Sequence, residues 1–208
     1  MLSVLLDSFC VTIIFAKNPD TLVSEVIILL STRYIIEVVE NLGKKYGTRA
    51  PYELCECLGI RIRYIDLNRK LKGFFFYQSR IPNIVIDSNV SKTLEPILVA
   101  HELGHTVLHK DIAMMHGFHE MEVFDSTAYT ENEANLFAVE IYLDDKEVLD
   151  RLRHYSFFQA AQSLYVPAAF LDFKFRAMCE KGLLDRTMDY RTSKFLKEDI
   201  GTYGEYYD

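Results

Sequence analysis

The sequence predicts an α+β fold: a small antiparallel three-stranded sheet packed on a helical core, with a C-terminal helical subdomain. Three observations carry this. Apolar residues recur at helical spacing before Gly47, the period shortens to two from Ile60 to Asp87, and helical spacing returns from Thr93 to Lys181.

From Asp20 or Thr21 through Tyr46, the residues Val23, Val26, Ile27, Leu30, Ile35, Val38, Val39 and Leu42 mark one face of a helix, which Gly43 and Gly47 loosen and end. Pro51 suits a first helical turn, and a short helix from Tyr52 to Leu58 stops at Gly59. Ile60, Ile62 and Tyr64 then alternate with Arg61 and Arg63, as in a half-buried strand. Gly73 to Gln78 and Asn83 to Asp87 read as two more strands joined by a turn at residues 79–82, which makes an antiparallel meander. Pro96 is tolerated only in a first turn, so a helix begins near Thr93 and runs to about Lys110. Ile112 to Tyr129 reads as a loop, and Glu131 to Leu143 as an amphipathic helix with Ala134, Phe137, Ala138 and Ile141 on one face. Three short helices follow, Lys146 to Arg153, Phe157 to Tyr165 and Pro167 to Lys181, with Gly182 as the stop.

The 208 residues suffice for one domain with a hydrophobic core. A formal net charge of −7 speaks against a general nucleic-acid or anionic-membrane binder, which needs a basic face. Cys10, Cys55, Cys57 and Cys179 have no disulfide-framework spacing and read as reduced cysteines of a cytoplasmic protein. The apolar runs Val4 to Ala16 and Leu22 to Leu30 are each shorter than the ~20 residues of a membrane span, and Lys17-Asn18-Pro19-Asp20 separates them. They read as a buried strand and the start of a helix, so no membrane partner is expected.

The chemistry lies in His101-Glu102-Leu103-Gly104-His105. Two histidines four apart project from one helical face, close enough to share an ion at the ~2.0–2.1 Å that zinc prefers. Glu102 lies beside them, placed to take a proton from a water without occupying a coordination position. Ile97, Leu98, Val99, Ala100, Leu103, Val107 and Leu108 surround the motif, so the helix is buried, and buried histidines beside a glutamate call for a cation. Zinc needs a third protein ligand. His109 is unsuited, because eight helical residues place it about 12 Å along the axis from His101. It reads as a core or supporting histidine. Glu131 and Glu133, 26 and 28 residues beyond His105, are the candidates. Glu133 is favoured because it adjoins the Ala134/Phe137/Ala138 packing face, while Glu131 sits nearer a fraying helix start.

These residues resemble the ImmA/IrrE family of metallo-endopeptidases. The resemblance runs in order through Thr48-Arg49-Ala50-Pro51-Tyr52-Glu53, Leu58-Gly59-Ile60, Leu71-Lys72-Gly73-Phe74-Phe75-Phe76-Tyr77, Ala100 to His109, and Glu131-Asn132-Glu133-Ala134-Asn135-Leu136-Phe137-Ala138. It implies a gluzincin-like zinc site with His101, His105 and Glu133 as ligands and Glu102 as general base. It also implies a protein substrate, a helix-turn-helix repressor whose cleavage relieves transcriptional repression in a prophage or other mobile element. The chain divides accordingly into an apolar N-terminal extension (residues 1–30), a zincin-like metallopeptidase domain (31–143), a helical subdomain (144–182) and a C-terminal tail (183–208). The apolar extension and the tyrosine-rich tail depart from the family pattern.

Three further expectations concern the surroundings of the motif. The strand Asn83 to Asp87 is a candidate cleft edge, able to pair with an extended substrate by strand addition. His116, His119 and Tyr129 are candidate donors to a tetrahedral oxyanion. Phe158 to Leu171 has the apolar rhythm of a helix-turn-helix but few basic or amide side chains for a groove, so it reads as a packing unit without direct nucleic-acid contact. The rival to an enzyme is a non-proteolytic zinc-bound regulator that binds a transcription factor. An intact Glu102 speaks against it.

Overall fold

A computed structural model describes residues 19–68, 71–110 and 128–184. The expectations for the N-terminal run before Pro19, the loop carrying His116 and His119, and the tail beyond Leu184 fall outside these residues.

The elements follow the expected order: α1 (Pro19–Tyr46), α2 (Pro51–Cys57), β1 (Arg61–Ile65), β2 (Gly73–Gln78), β3 (Ile81–Asp87), α3 (Glu95–Leu108), α4 (Ala128–Tyr142), α5 (Asp145–His154), α6 (Phe157–Ser163) and α7 (Ala168–Glu180). The fold is α+β, with a three-stranded sheet and, among the described residues, seven helices. No helix of these residues is long and apolar enough to cross a membrane.

The sheet is mixed, not an antiparallel meander. Its order is β1-β3-β2, with β2 antiparallel and β1 parallel to β3. Ser79 and Arg80, both at positive φ, make a two-residue hairpin that fixes β2 beside β3 and nothing more. The most apolar strand takes the centre, where Ile84, Val85 and Ile86 are buried, while β1, with Arg61 and Arg63 hydrated, takes the far edge. Because β3 is paired on both sides, the cleft-edge reading of Asn83 to Asp87 is overturned. Of the two edge strands, β2 lies against α3.

Helix α3 packs between the sheet and α4, and α4 also contacts α1 and α7. Leu103, Phe137, Ala138, Ile84, Ile86 and Leu171 are core residues in this layer. The far end of α4 is fastened by charge. Glu140 and the fully buried Lys174 of α7 pair at 2.9 Å, Lys174 reaches Asp145 at 2.6 Å, and Lys181 contacts both carboxylates. In the Phe158 to Leu171 segment, Ala160, Ala161, Val166 and Leu171 are buried, in keeping with a packing unit.

Candidate metal centre

Pro96 lies in the first turn of α3 as required, and the helix carries the motif toward α4. Gly104 governs the encounter. A Cβ there would come within 3.1–3.2 Å of Phe137 and of the Ala134 backbone, tighter than ordinary contact, so glycine favours this close crossing of α4. The crossing turns the Glu131/Asn135 stripe of α4, four residues apart and hence one face, onto the histidines. Asn135 Oδ1 lies 3.0 Å from His101 Nδ1.

The two Nε2 atoms of His101 and His105 are 3.1 Å apart, and each lies 3.3 Å from an oxygen of Glu131. A tetrahedral zinc with bonds of ~2.0–2.1 Å separates its donors by about 3.3 Å. With the Nδ1 proton of His101 given to Asn135, the nitrogen facing His105 presents a lone pair. A second imidazole nitrogen and a carboxylate crowd the same point. Such a set repels itself unless a cation sits among them, so these residues fit a divalent metal. Among the described residues, His101, His105 and Glu131 are the one group with metal-ligand geometry.

Glu133, favoured from the sequence, is directed elsewhere. It is two residues from Glu131, about 200° round the helix, and its Oε2 lies 2.9 Å from His109 Nε2 while Ser31 Oγ donates to the other oxygen. The structure therefore brings Glu131, not Glu133, to the imidazole pair. The sequence did hold the signal, in the spacing of Glu131 and Asn135 around the small Ala134 that must face Gly104. His109 is buried as expected, with its Nδ1 3.1 Å from His105 Nδ1. Of the candidate oxyanion donors, Tyr129 hydrogen-bonds with Ser31 and Glu133.

Glu102 is only 6% exposed. Burial pushes its carboxyl up to about 7, with His101 pulling it down and Glu131 pushing it further up. Its seat is made by Gly73 of β2, where a Cβ would stand 3.2 Å from Glu102 Oε1 and 3.1 Å from the Val85 carbonyl. Phe75 of the same strand stacks on the His105 ring at 5.5 Å and 4°, fixing its plane. Burial opposes protonation of His101, but the hydrogen bond to Glu131 and the charge of Glu102 outweigh it and raise its pKa. In His105 burial prevails and the pKa falls. Hydrogen bonding to His101 and His105, in the form in which those rings carry a proton at Nε2, holds Glu131 far below the usual carboxylate range. Glu133 also lies low, because hydrogen bonds from His109, Ser31 and Tyr129 outweigh its burial. Glu131 remains 40% exposed, so the cluster opens to solvent on one side.

Comparison with known proteins places the chain among metallopeptidases. The profile of the peptidase M78 family, described as an IrrE N-terminal-like domain, matches residues 55–176. An "Uncharacterized immunity region protein 2" of Bacillus phage phi105 is 39% identical over 107 residues, 51% of this chain and 66% of that protein. "Metallopeptidase ImmA" of Bacillus subtilis (strain 168) is 29% identical over 151 residues, covering 71% of this chain and 88% of that protein.

Proposed function

Since the chain belongs to the peptidase M78 family with an IrrE N-terminal-like domain, we propose that it is a zinc-dependent endopeptidase in which His101, His105 and Glu131 hold the metal and Glu102 is the general base. The observation that carries this reading is the convergence of three donors at the spacing of a tetrahedral site, beside a buried carboxylate that is not one of them.

A zinc ion bound there supplies Lewis acidity, acidifying a water and polarising the scissile carbonyl. Glu102 accepts the proton of the attacking water and passes it to the leaving amine. A carboxyl near neutrality suits both halves of that exchange. Gly73 and the buried wall of β2 hold Glu102 in place, and Asn135 fixes the His101 ring so that Nε2 faces His105 and Glu131. The exposed side of Glu131 leaves an approach for a polypeptide.

The substrate we propose is a helix-turn-helix repressor encoded near this protein, and the site of action the cytoplasm. The immunity-region and ImmA relatives support a protein substrate in a phage or mobile-element setting. The test is incubation of the purified neighbouring repressor with the wild type and with Glu102→Gln, followed by mass spectrometry of fragments and metal analysis of both proteins. Discrete fragments from the wild type, and a rate lower by about 10²–10⁴-fold in a variant that keeps its zinc, are expected. Equal cleavage by both proteins refutes the role of Glu102. Tight repressor binding without cleavage by the zinc-loaded wild type would favour a non-proteolytic regulator.

A further inference from the structure

His105 can offer Nε2 to a cation only when its single ring proton sits on Nδ1. That atom lies 3.1 Å from His109 Nδ1, and two ring nitrogens at this distance share one proton. The far side of His109 decides which ring owns it. His109 Nε2 is 2.9 Å from Glu133 Oε2, and an ionised carboxylate only accepts, so Nε2 carries the His109 proton. In the neutral ring, His109 Nδ1 is left as an acceptor, and His105 Nδ1 donates to it.

We propose that His109 and Glu133 form a positioning relay that holds His105 in its metal-binding tautomer and orientation. The inference rests on the metal reading above and adds a role for two residues that touch neither metal nor substrate. The chain of contacts is continuous. His109 is 5% exposed, the Glu133 side chain 16%, and Ser31 of α1 donates to the remaining Glu133 oxygen, so each side chain along it is held by a partner. His101 receives the equivalent support from the neutral Asn135 amide. His105 receives it from an anion one ring removed, which raises the basicity of its Nε2. The geometry also explains the spacing His101, His105, His109: the first two present Nε2 to one point, while the third turns Nδ1 back toward the second.

The test uses the full chain and zinc itself. Competition with a chromophoric chelator gives the zinc affinity, the visible absorption of the cobalt(II)-loaded protein reports the ligand geometry, and thermal melting of the metal-free protein reports the fold. His109→Leu removes the acceptor, and a roughly 10–100-fold loss of zinc affinity with an altered cobalt spectrum is expected. His109→Gln restores an oxygen to accept from His105 and an amide to donate to Glu133, so it should recover affinity and spectrum. Should His109→Leu not fold, Glu133→Leu, which breaks the outer link, is expected to show the same loss. The relay is overturned if the folded leucine variants bind zinc as tightly as the wild type with an unchanged spectrum, or if His109→Gln melts like the wild type yet recovers nothing. A Glu131→Ala control separates the two levels. If it binds zinc normally, the metal site itself is misassigned. If it loses zinc while the leucine variants do not, only the relay fails.

Discussion

Helix α4 carries a carboxylate toward each end, and the two are used in opposite ways. Glu140, 2% exposed, meets the ammonium groups of Lys174 and Lys181, and Asp145 completes a closed set of two anions and two cations. Glu131, 40% exposed, meets two imidazole nitrogens, and no lysine or arginine faces it in the contacts that hold it. The first cluster satisfies its charges from within the chain and ties α4, α5 and α7 together. The second offers three donor atoms at metal-ligand spacing on a side open to solvent, which is what the proposed metal reading requires. One helix thus bears a structural ion cluster and a chemical one, distinguished by what faces each carboxylate and by access to water.

The sharpest way to break this contrast is to delete each acid in turn. Glu131→Ala should abolish zinc binding and hydrolysis while changing the stability of the metal-free protein by no more than about 0.5 kcal/mol, as for other partly exposed sites. Glu140→Ala should do the reverse, lowering stability by about 3 kcal/mol because Lys174 stays buried with Asp145 alone, and leaving zinc affinity intact. Denaturant melts and chelator competition on both variants measure this, and a common loss in both readouts would mean the two ends are not independent.

A smaller effect sharpens the chemical side. Gly73→Ala should push the Glu102 carboxyl from its seat and lower kcat by up to about 10²-fold, with KM and zinc content little changed. An unaltered kcat would show that Glu102 does not depend on that close approach.

The least disruptive probe of the structural end is pH. Burial raises the carboxyl pKa of Asp145, but hydrogen bonds from Lys174 and Lys181 outweigh it and hold the group below its ordinary 3.8. Its stabilisation is therefore complete above 3.8 and is lost as pH falls through the lower folded value. Lys181, where burial lowers the pKa but Glu140 and Asp145 raise it more, stabilises fully below 10.5 and loses that contribution as pH rises through its folded value. Asp145→Asn should consequently be less stable than the wild type at pH 7, with the gap narrowing only at acid pH below about 3.8. Parallel melts that keep a constant gap down to pH 2 would contradict the pairing.

Much of the fold was legible because local chemistry enforces it. Pro96 fixed the start of α3, Gly59 and Gly182 took the positive φ that ends their helices, and the change from period 3.6 to period two separated helices from strands. The sheet order was not legible, since a hairpin signal specifies one pair of strands and says nothing about which side of β3 the earlier strand will join. Which acid faces the imidazoles was not legible for a related reason. Glu133 adjoins the apolar face, whereas the rotation of α4 about its own axis, with Ala134 against Gly104, turns Glu131 to them.

By itself, the sequence determined the element types and the pairing of His101 with His105 around Glu102, because periodicity and i, i+4 spacing act within one segment of chain. Tertiary structure alone decided that Glu131 joins them, that Glu133 instead backs His109, and that Gly73 seats Glu102. Those facts depend on the azimuth and closeness at which separate elements cross, and no local preference encodes them.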